Sequence, residues 1–314
     1  MPKINFISLF IFFSLLSLLA QTPSDVSVFE IKKIKLQTVE YPWGAELGLL
    51  ISGNASAVLS ESCLLVTIFY SNVKIKDLDL FLPKASSEDS SFAFEKLWEP
   101  IHSAYQIAPA GEYSIVVKLS LQEQTQKWKE AWYSKYKEKT PHSYEGTVFL
   151  GTKETLEKQR AEHKAFYIQA IKNLNEIYRE LHQKTHQAKA QKPFQPNLWL
   201  GWFQGSFLES VETEKVKLEQ HKNKHFALLY PKTFHALYQY VDVLVRMARF
   251  NAIHIYQYHG RNREIEHLKN IDFFGMRSFD EFISYIQALH SQCGLEMGIS
   301  LRKELGYLPP PGAY

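Results

Sequence analysis

The rhythm of apolar residues changes once along this chain, at Gly151, and that change decides what the chain can fold into. From Val26 to about Leu150 apolar side chains recur at every second position, in runs such as "VSVFEIKKIKL", "AELGLLISG", "CLLVTIFY", "KDLDLFL", "FAFEKL", "YSIVVKLSL" and "EGTVFLG". Successive side chains of a strand point to opposite faces, so a period of two marks strands with one buried face. About seven short strands separated by turn residues predict a β-sandwich over residues 25–151.

From Thr152 the spacing becomes three and four. Leu156, Tyr167, Ala170, Leu174, Ile177 and Leu181 line one stripe that stops before Pro193. A second run, Leu198 to about Leu229, carries Phe203, Phe207, Val211 and Leu218. A third, Thr233 to Tyr258, carries Leu237, Val241, Leu244, Ala248 and Ile255. The fourth opens at Ser278, with Glu281 at capping-box spacing, and runs through Phe282, Ile283, Ile286 and Leu289 toward Leu305, with Gly294 and Gly298 as candidate breaks. Four amphipathic segments with mostly short joints predict an antiparallel four-helix-type bundle over residues 152–306, followed by a tail at 307–314. The fold class expected is therefore β then α, and 314 residues are enough for two cores.

Residues 1–20 do not belong to either half. Lys3 precedes an apolar run from about Ile4 to Ala20, and polar "QTPSD" follows. A basic start, an apolar middle and a small residue before Gln21 predict a secretory signal peptide, and so a secreted or periplasmic protein. Leu18, where a small residue is preferred, keeps open an uncleaved anchor that tethers the chain to a membrane. No later segment reaches the ~18 apolar residues of a spanning helix. Lys+Arg 36 against Asp+Glu 33 is too balanced to recommend a nucleic-acid partner. Cys63 and Cys293 fall in different halves, so a disulfide between them is not expected.

One constellation sharpens the first half. "IAPAGEYSIVV" places Ile107, Pro109 and Tyr113 at relative positions 0, 2 and 6, ahead of alternating Ile115 and Val117. This resembles the tyrosine corner that enters strand F of fibronectin type III and related immunoglobulin-like domains. The resemblance covers residues 25–151 and implies an immunoglobulin-like β-sandwich, a class used mostly as spacer or interaction module. Between the strands that would then be F and G lies "QKWKEAWYSKYKEK", far longer than a hairpin loop. Its Trp128, Trp132, Tyr133 and Tyr136 among Lys residues make it a candidate contact arm; the competing reading has them cover a sheet edge while the Lys stems reach outward.

Chemical signals concentrate in the helical half, where ten of the twelve His residues lie. His182 with His186, and His221 with His225, have i,i+4 spacing, which sets two imidazoles on one helical face and suits a divalent transition metal. Neither pair carries the intervening Glu of a zinc-protease helix, and Glu264–His267 is a single copy of a pattern that needs two. His163 falls on the apolar stripe of the first helix, where a hydrogen-bonded core His is expected. "NLWLGWFQGSF" gathers Trp199, Trp202, Phe203 and Phe207, either a platform for a sugar or a packed core. "YQYHGRNREIEH" offers His259, Arg261 and Arg263 to an anion, or is a solvated connector.

Phosphate-cradling loops, nucleophile elbows, haem-attachment motifs and paired-Cys zinc sites are missing, which leans away from an enzyme. The function expected is an exported, non-catalytic binding or scaffolding protein without a cofactor, with an extracytoplasmic protein or polysaccharide as partner. The alternatives are a metal-binding protein or metalloenzyme using His182, His186, His221 and His225, and a carbohydrate-binding accessory protein using Trp199 and Trp202 or Trp128 and Trp132.

Overall fold

In the computed structural model, which describes residues 29–41, 44–56, 59, 62–84, 91–100, 106–120, 143–261, 263, 273 and 275–305, seven strands precede the helices. The strands are β1 (Phe29–Tyr41), β2 (Gly44–Ser56), β3 (Cys63–Tyr70), β4 (Val73–Phe81), β5 (Ser91–Pro100), β6 (Gly111–Ser120) and β7 (Ser143–Leu150). They form two sheets, ordered β1-β2-β5 and β4-β3-β6-β7. The registered pairs β2–β5, β3–β4 and β3–β6 are antiparallel.

The period of two sets the pairing. Leu64, Val66, Ile68 and Tyr70 of β3 stand opposite Leu119, Val117, Ile115 and Tyr113 of β6, and all eight are buried. A slip of one residue would turn every one of them to the other face, so burial fixes the register. Ser71 and Asn72 join β3 to β4 with φ of 49° and 64°, the two-residue turn whose twist matches a hairpin. In β2 a register shift against β5 falls between Ile51 and Gly53. A Cβ on Gly53 would lie 2.0 Å from the Glu30 carbonyl oxygen and 2.7 Å from Phe94, so only glycine lets β1 approach so closely.

The helices are α1 (Lys153–Ala190), α2 (Pro196–Trp202), α3 (Leu208–Lys224), α4 (Pro231–Tyr258), α5 (Phe279–Met297) and α6 (Leu301–Leu305). A single π turn, Phe203–Phe207, carries α2 into α3 without leaving helical backbone. Thr152 starts α1 by accepting a hydrogen bond from Thr155 N at 3.1 Å. The cap expected for α5 is present: Ser278 Oγ accepts from Glu281 N at 3.3 Å. The Glu281 carboxylate reaches back to Arg277 N, one residue earlier than a reciprocal capping box requires. α5 runs through Gly294 and stops at Gly298, in the left-handed region at φ 64°. Ile299 N then returns to Gly294 O at 3.0 Å, and a Cβ on Gly294 would meet the Ile299 carbonyl at 2.9 Å.

α4 packs against α1, α3 and α5, and it is buried on several faces as a central helix must be. Tyr240 OH donates to Asn175 Oδ1 at 2.9 Å, and Asn251 Nδ2 donates to Thr185 Oγ1 at 2.8 Å. Both pairs climb in the same sense, so α1 and α4 lie side by side and run parallel. α5 runs against α4: Phe282 meets Phe250 at 5.4 Å between centroids, while Glu296 binds Lys232 N at 3.1 Å and Thr233 N at the far end. α4 begins with Pro231 and has no side-chain cap of its own, so the carboxylate from α5 supplies one. Glu296→Gln is expected to cost about 1 kcal/mol and lower the melting temperature by roughly 2 to 4 °C, read by circular dichroism at the helical band.

The chain divides into two compact units: one holds most of the strand residues, and the other takes in Glu40–Glu46, His102–Glu112 and Phe149 onward. The period break at Gly151 therefore marks the start of the long helical stretch, while residues 106–112 join the helical unit because Ile107 and Ala110 bond to it. Cys63 and Cys293 lie in different units and are not joined in a disulfide, and burial pushes the Cys293 thiol up to about 12. Among the described residues no helix is long and apolar enough to cross a membrane. Residues 1–20 and the contact arm with Trp128, Trp132, Tyr133 and Tyr136 lie outside the described residues.

Candidate metal centre

Three imidazoles converge where α1 passes the end of α3. α1 carries His163 on its buried stripe, ahead of Phe166 and Tyr167. α3 carries His221 in a last turn that is wholly basic apart from Asn223, with Lys222 and Lys224, as suits the negative end of a helix. His225 is not on the helix. The run expected to reach about Leu229 ends at Lys224, because His225 adopts extended backbone at φ −112° and ψ 132° and pairs with Ile107 in a parallel bridge. The turn still returns its ring to the helix end.

The ring centroids are 4.7 Å apart for His163 and His221, 4.3 Å for His163 and His225, and 4.7 Å for His221 and His225. One nitrogen from each ring lies within 4.8 Å of the other two. Tetrahedral zinc with Zn–N near 2.0–2.1 Å needs ligand nitrogens about 3.4 Å apart, so side-chain rotation of about 1.5 Å at most would complete the site. Phe166 stacks on His221 at 3.9 Å and 7°, and Tyr167 meets the same ring edge-on at 5.3 Å, which holds its rotamer.

His163 is 4% exposed. Its Nδ1 and the Nε2 of His221 are enclosed without a hydrogen-bond partner, as is the Tyr167 hydroxyl. His163 was expected to be a hydrogen-bonded core residue; it is core, but among the described residues nothing hydrogen-bonds to its Nδ1, and two other imidazole rings lie 4.3 and 4.7 Å away. A buried polar atom left unmatched costs about 1–3 kcal/mol, so three in one cluster require a reason. Burial first, then His225 and Lys224, holds the His163 pKa down to about 4. Burial, with His163, His225 and Lys224, lowers His221 to about 3. His225 is lowered by burial and Lys224 against an opposing pull from Glu162. At neutral pH all three rings are uncharged and keep a nitrogen lone pair, the form that binds metal.

The other expected residues do not join this cluster. His182 and His186 face each other on α1 at 4.6 Å, yet His182 is 19 residues beyond His163, about 28 Å along the helix. The two i,i+4 pairs therefore do not share a site, and among the described residues the only group of three is His163, His221 and His225. Trp199 is buried and Trp202 half-buried; their rings are tilted by 47°, and Trp202 Nε1 donates to Glu180 at 2.9 Å. They pack into the helical core instead of forming a flat exposed platform. His259 stacks on Phe194 at 4.2 Å and 2°, its Nε2 lies 3.0 Å from Ala188 O, and Arg261 stands over the same Phe194 ring. The start of that loop thus closes the end of α1, and Glu264–His267 lies outside the described residues.

Comparison with known proteins adds no relative: no family model matches the chain, and no curated protein or solved structure is significantly similar to it.

Proposed function

We propose that this chain is an exported protein whose helical unit binds one divalent transition metal through His163, His221 and His225. The observation that carries this reading is the convergence of three imidazoles, two of them with enclosed nitrogens that no group among the described residues satisfies. An all-nitrogen set favours zinc and its neighbours over calcium or magnesium, which prefer oxygen. Three protein ligands leave one tetrahedral position for water or another ligand, so the site suits either holding a metal or activating what binds beside it. Export rests on the basic start and apolar run of the first 20 residues.

The test is stoichiometry. Chelator-treated full-length protein titrated with zinc in competition with a chromogenic chelator should take up one equivalent at micromolar affinity or tighter, with a tenfold excess of magnesium making no difference. His163→Ala should weaken uptake by roughly a hundredfold, and His182→Ala with His186→Ala should leave it unchanged. Uptake that survives loss of His163, or no stoichiometric uptake at all, overturns the proposal.

The strand-containing unit is best read as an immunoglobulin-like sandwich of the fibronectin type III kind. The strand orders β1-β2-β5 and β4-β3-β6-β7 support this, as does the fully buried Tyr113, whose ring lies 4.9 Å from Tyr70. By that resemblance the unit would present or space the metal-binding helices for an extracytoplasmic protein or polysaccharide partner.

A further inference from the structure

The turn that carries His225 is also the anchor of a second segment of chain. Ile107 N donates to Lys224 O at 2.8 Å, and Phe226 N donates to Ile107 O at 2.9 Å, so the two hydrogen bonds bracket His225. His225 N itself donates to Lys222 O at 3.2 Å. Three residues on, Ala110 N donates to the Gln159 side chain at 2.7 Å. Gln159 sits four positions before His163 on α1, hence on the same face one turn away. Pro109 and Ala110 are buried, and a Cβ on Gly151 would press on Ala110 at 3.0 Å. Residues 107–110 therefore form a strap. One end is bonded around a metal ligand on the α3 side, the other is bonded beside a metal ligand on the α1 side, and the strap continues directly into β6.

We infer that metal bound by His163, His221 and His225 latches this strap, so that occupancy of the site sets how readily residues 107–110 detach from α1 and α3. The inference rests on the metal reading above. Without metal, the bonds that tie the strap to the ends of α1 and α3 include the two at Ile107, which depend on the conformation of the residues next to His225, and the one from Ala110 N to Gln159. A metal ligated by His225 fixes that conformation relative to α1, and any opening that swings His225 away must first break a coordinate bond. Among the described residues, the charged groups acting on the three rings are Lys224, which opposes the ion, and Glu162, which favours it. Both lie within the latched elements, and neither replaces a ligand. The role is that of a structural clasp, in which metal binding free energy becomes conformational free energy of the strap.

Hydrogen exchange on the full-length protein tests it. With zinc at about a hundred times its dissociation constant, exchange of the Ile107, Ala110 and Phe226 amides should slow by up to roughly a hundredfold, because opening then competes with binding. Amides in the middle of α5 serve as the internal reference and should change much less. The reciprocal measurement uses Gln159→Ala, which removes a strap bond and no metal ligand. Coupling requires that zinc affinity fall, by roughly two- to tenfold, when the strap is loosened. Stoichiometric zinc binding with no change at these three amides and no loss of affinity in Gln159→Ala overturns the latch and leaves the metal site standing. Failure to bind zinc at all overturns both, and the competition titration reports that separately.

Discussion

Lowering the pH from 7.5 to 4.5 is expected to cost the helical unit about 2 to 3 kcal/mol through His290 alone. His290 on α5 packs edge-on against Tyr240, at 5.4 Å between centroids, and its Nε2 is enclosed without a partner. Burial holds its pKa down to about 4 from 6.5. The folded protein therefore keeps this ring neutral down to about pH 4, whereas the unfolded chain takes up a proton as the pH falls through 6.5. Within that window the unfolded state binds more protons, so stability is complete above about pH 6.5 and drains away down to about pH 4. In the metal-free protein His163 and His221, held down to about 4 and about 3, push in the same direction, as does His182, lowered to about 4 by burial and then by His186 and Lys189; all three are less enclosed than His290 and each share is discounted accordingly. The share of His290 alone corresponds to a fall of roughly 5 to 10 °C in the melting temperature of the helical signal over the range. His290→Phe keeps an aromatic ring against Tyr240 and cannot titrate. The variant should lose about half of that fall or more, and equal acid sensitivity in the two proteins would rule out His290 as the cause.

The alternation of apolar residues carried nearly all of the sheet region, because a strand with one buried face leaves no freedom in which residues point inward. Leu64, Val66, Ile68 and Tyr70 are buried for the reason their spacing implies. The helices were legible on the same ground, as was the cap at Ser278. The end of α3 was not. Nothing in the apolar spacing distinguishes a helix that continues past His225 from one that stops there, because the cause is a hydrogen-bonded partner, Ile107, more than a hundred residues earlier. For the same reason residues 106–112 could not be assigned to the helical unit from local pattern.

The candidate metal centre shows the same limit. Two of its histidines stood out as an i,i+4 pair, but the third stood alone on α1, and only the pairing of α1 with the end of α3 brings it near. The usable signal was chemical misfit: His163 occupies an apolar stripe and has Phe166 and Tyr167 as its neighbours, a place where a Leu would pack without an unmatched nitrogen. The pair on α1, His182 and His186, had the same spacing and the worse surroundings, since no third candidate ligand stands opposite them among the described residues. Spacing alone ranks candidates by what one helix can present; assembling a site takes a second element.

Zinc at about a hundred times its dissociation constant should stabilise the helical unit by about 2.7 kcal/mol at pH 7.5, raising its melting temperature by roughly 5 to 10 °C. The informative variant is His221→Phe. The Phe ring can keep the stack on Phe166 and the edge contact with Tyr167, and it carries no enclosed nitrogen lacking a partner. Removing a buried unsatisfied group relieves a cost of about 1–3 kcal/mol, which offsets the strain of a slightly larger ring. The metal-free variant should thus melt no lower than the metal-free parent, yet show no rise when zinc is added. That opposition separates a ligand from a packing residue, because a histidine kept only for packing would cost stability when replaced and would leave the response to zinc untouched. If instead the metal-free variant melts well below the parent and its zinc-induced rise persists, His221 is a core residue, and the case for the three-imidazole site is lost.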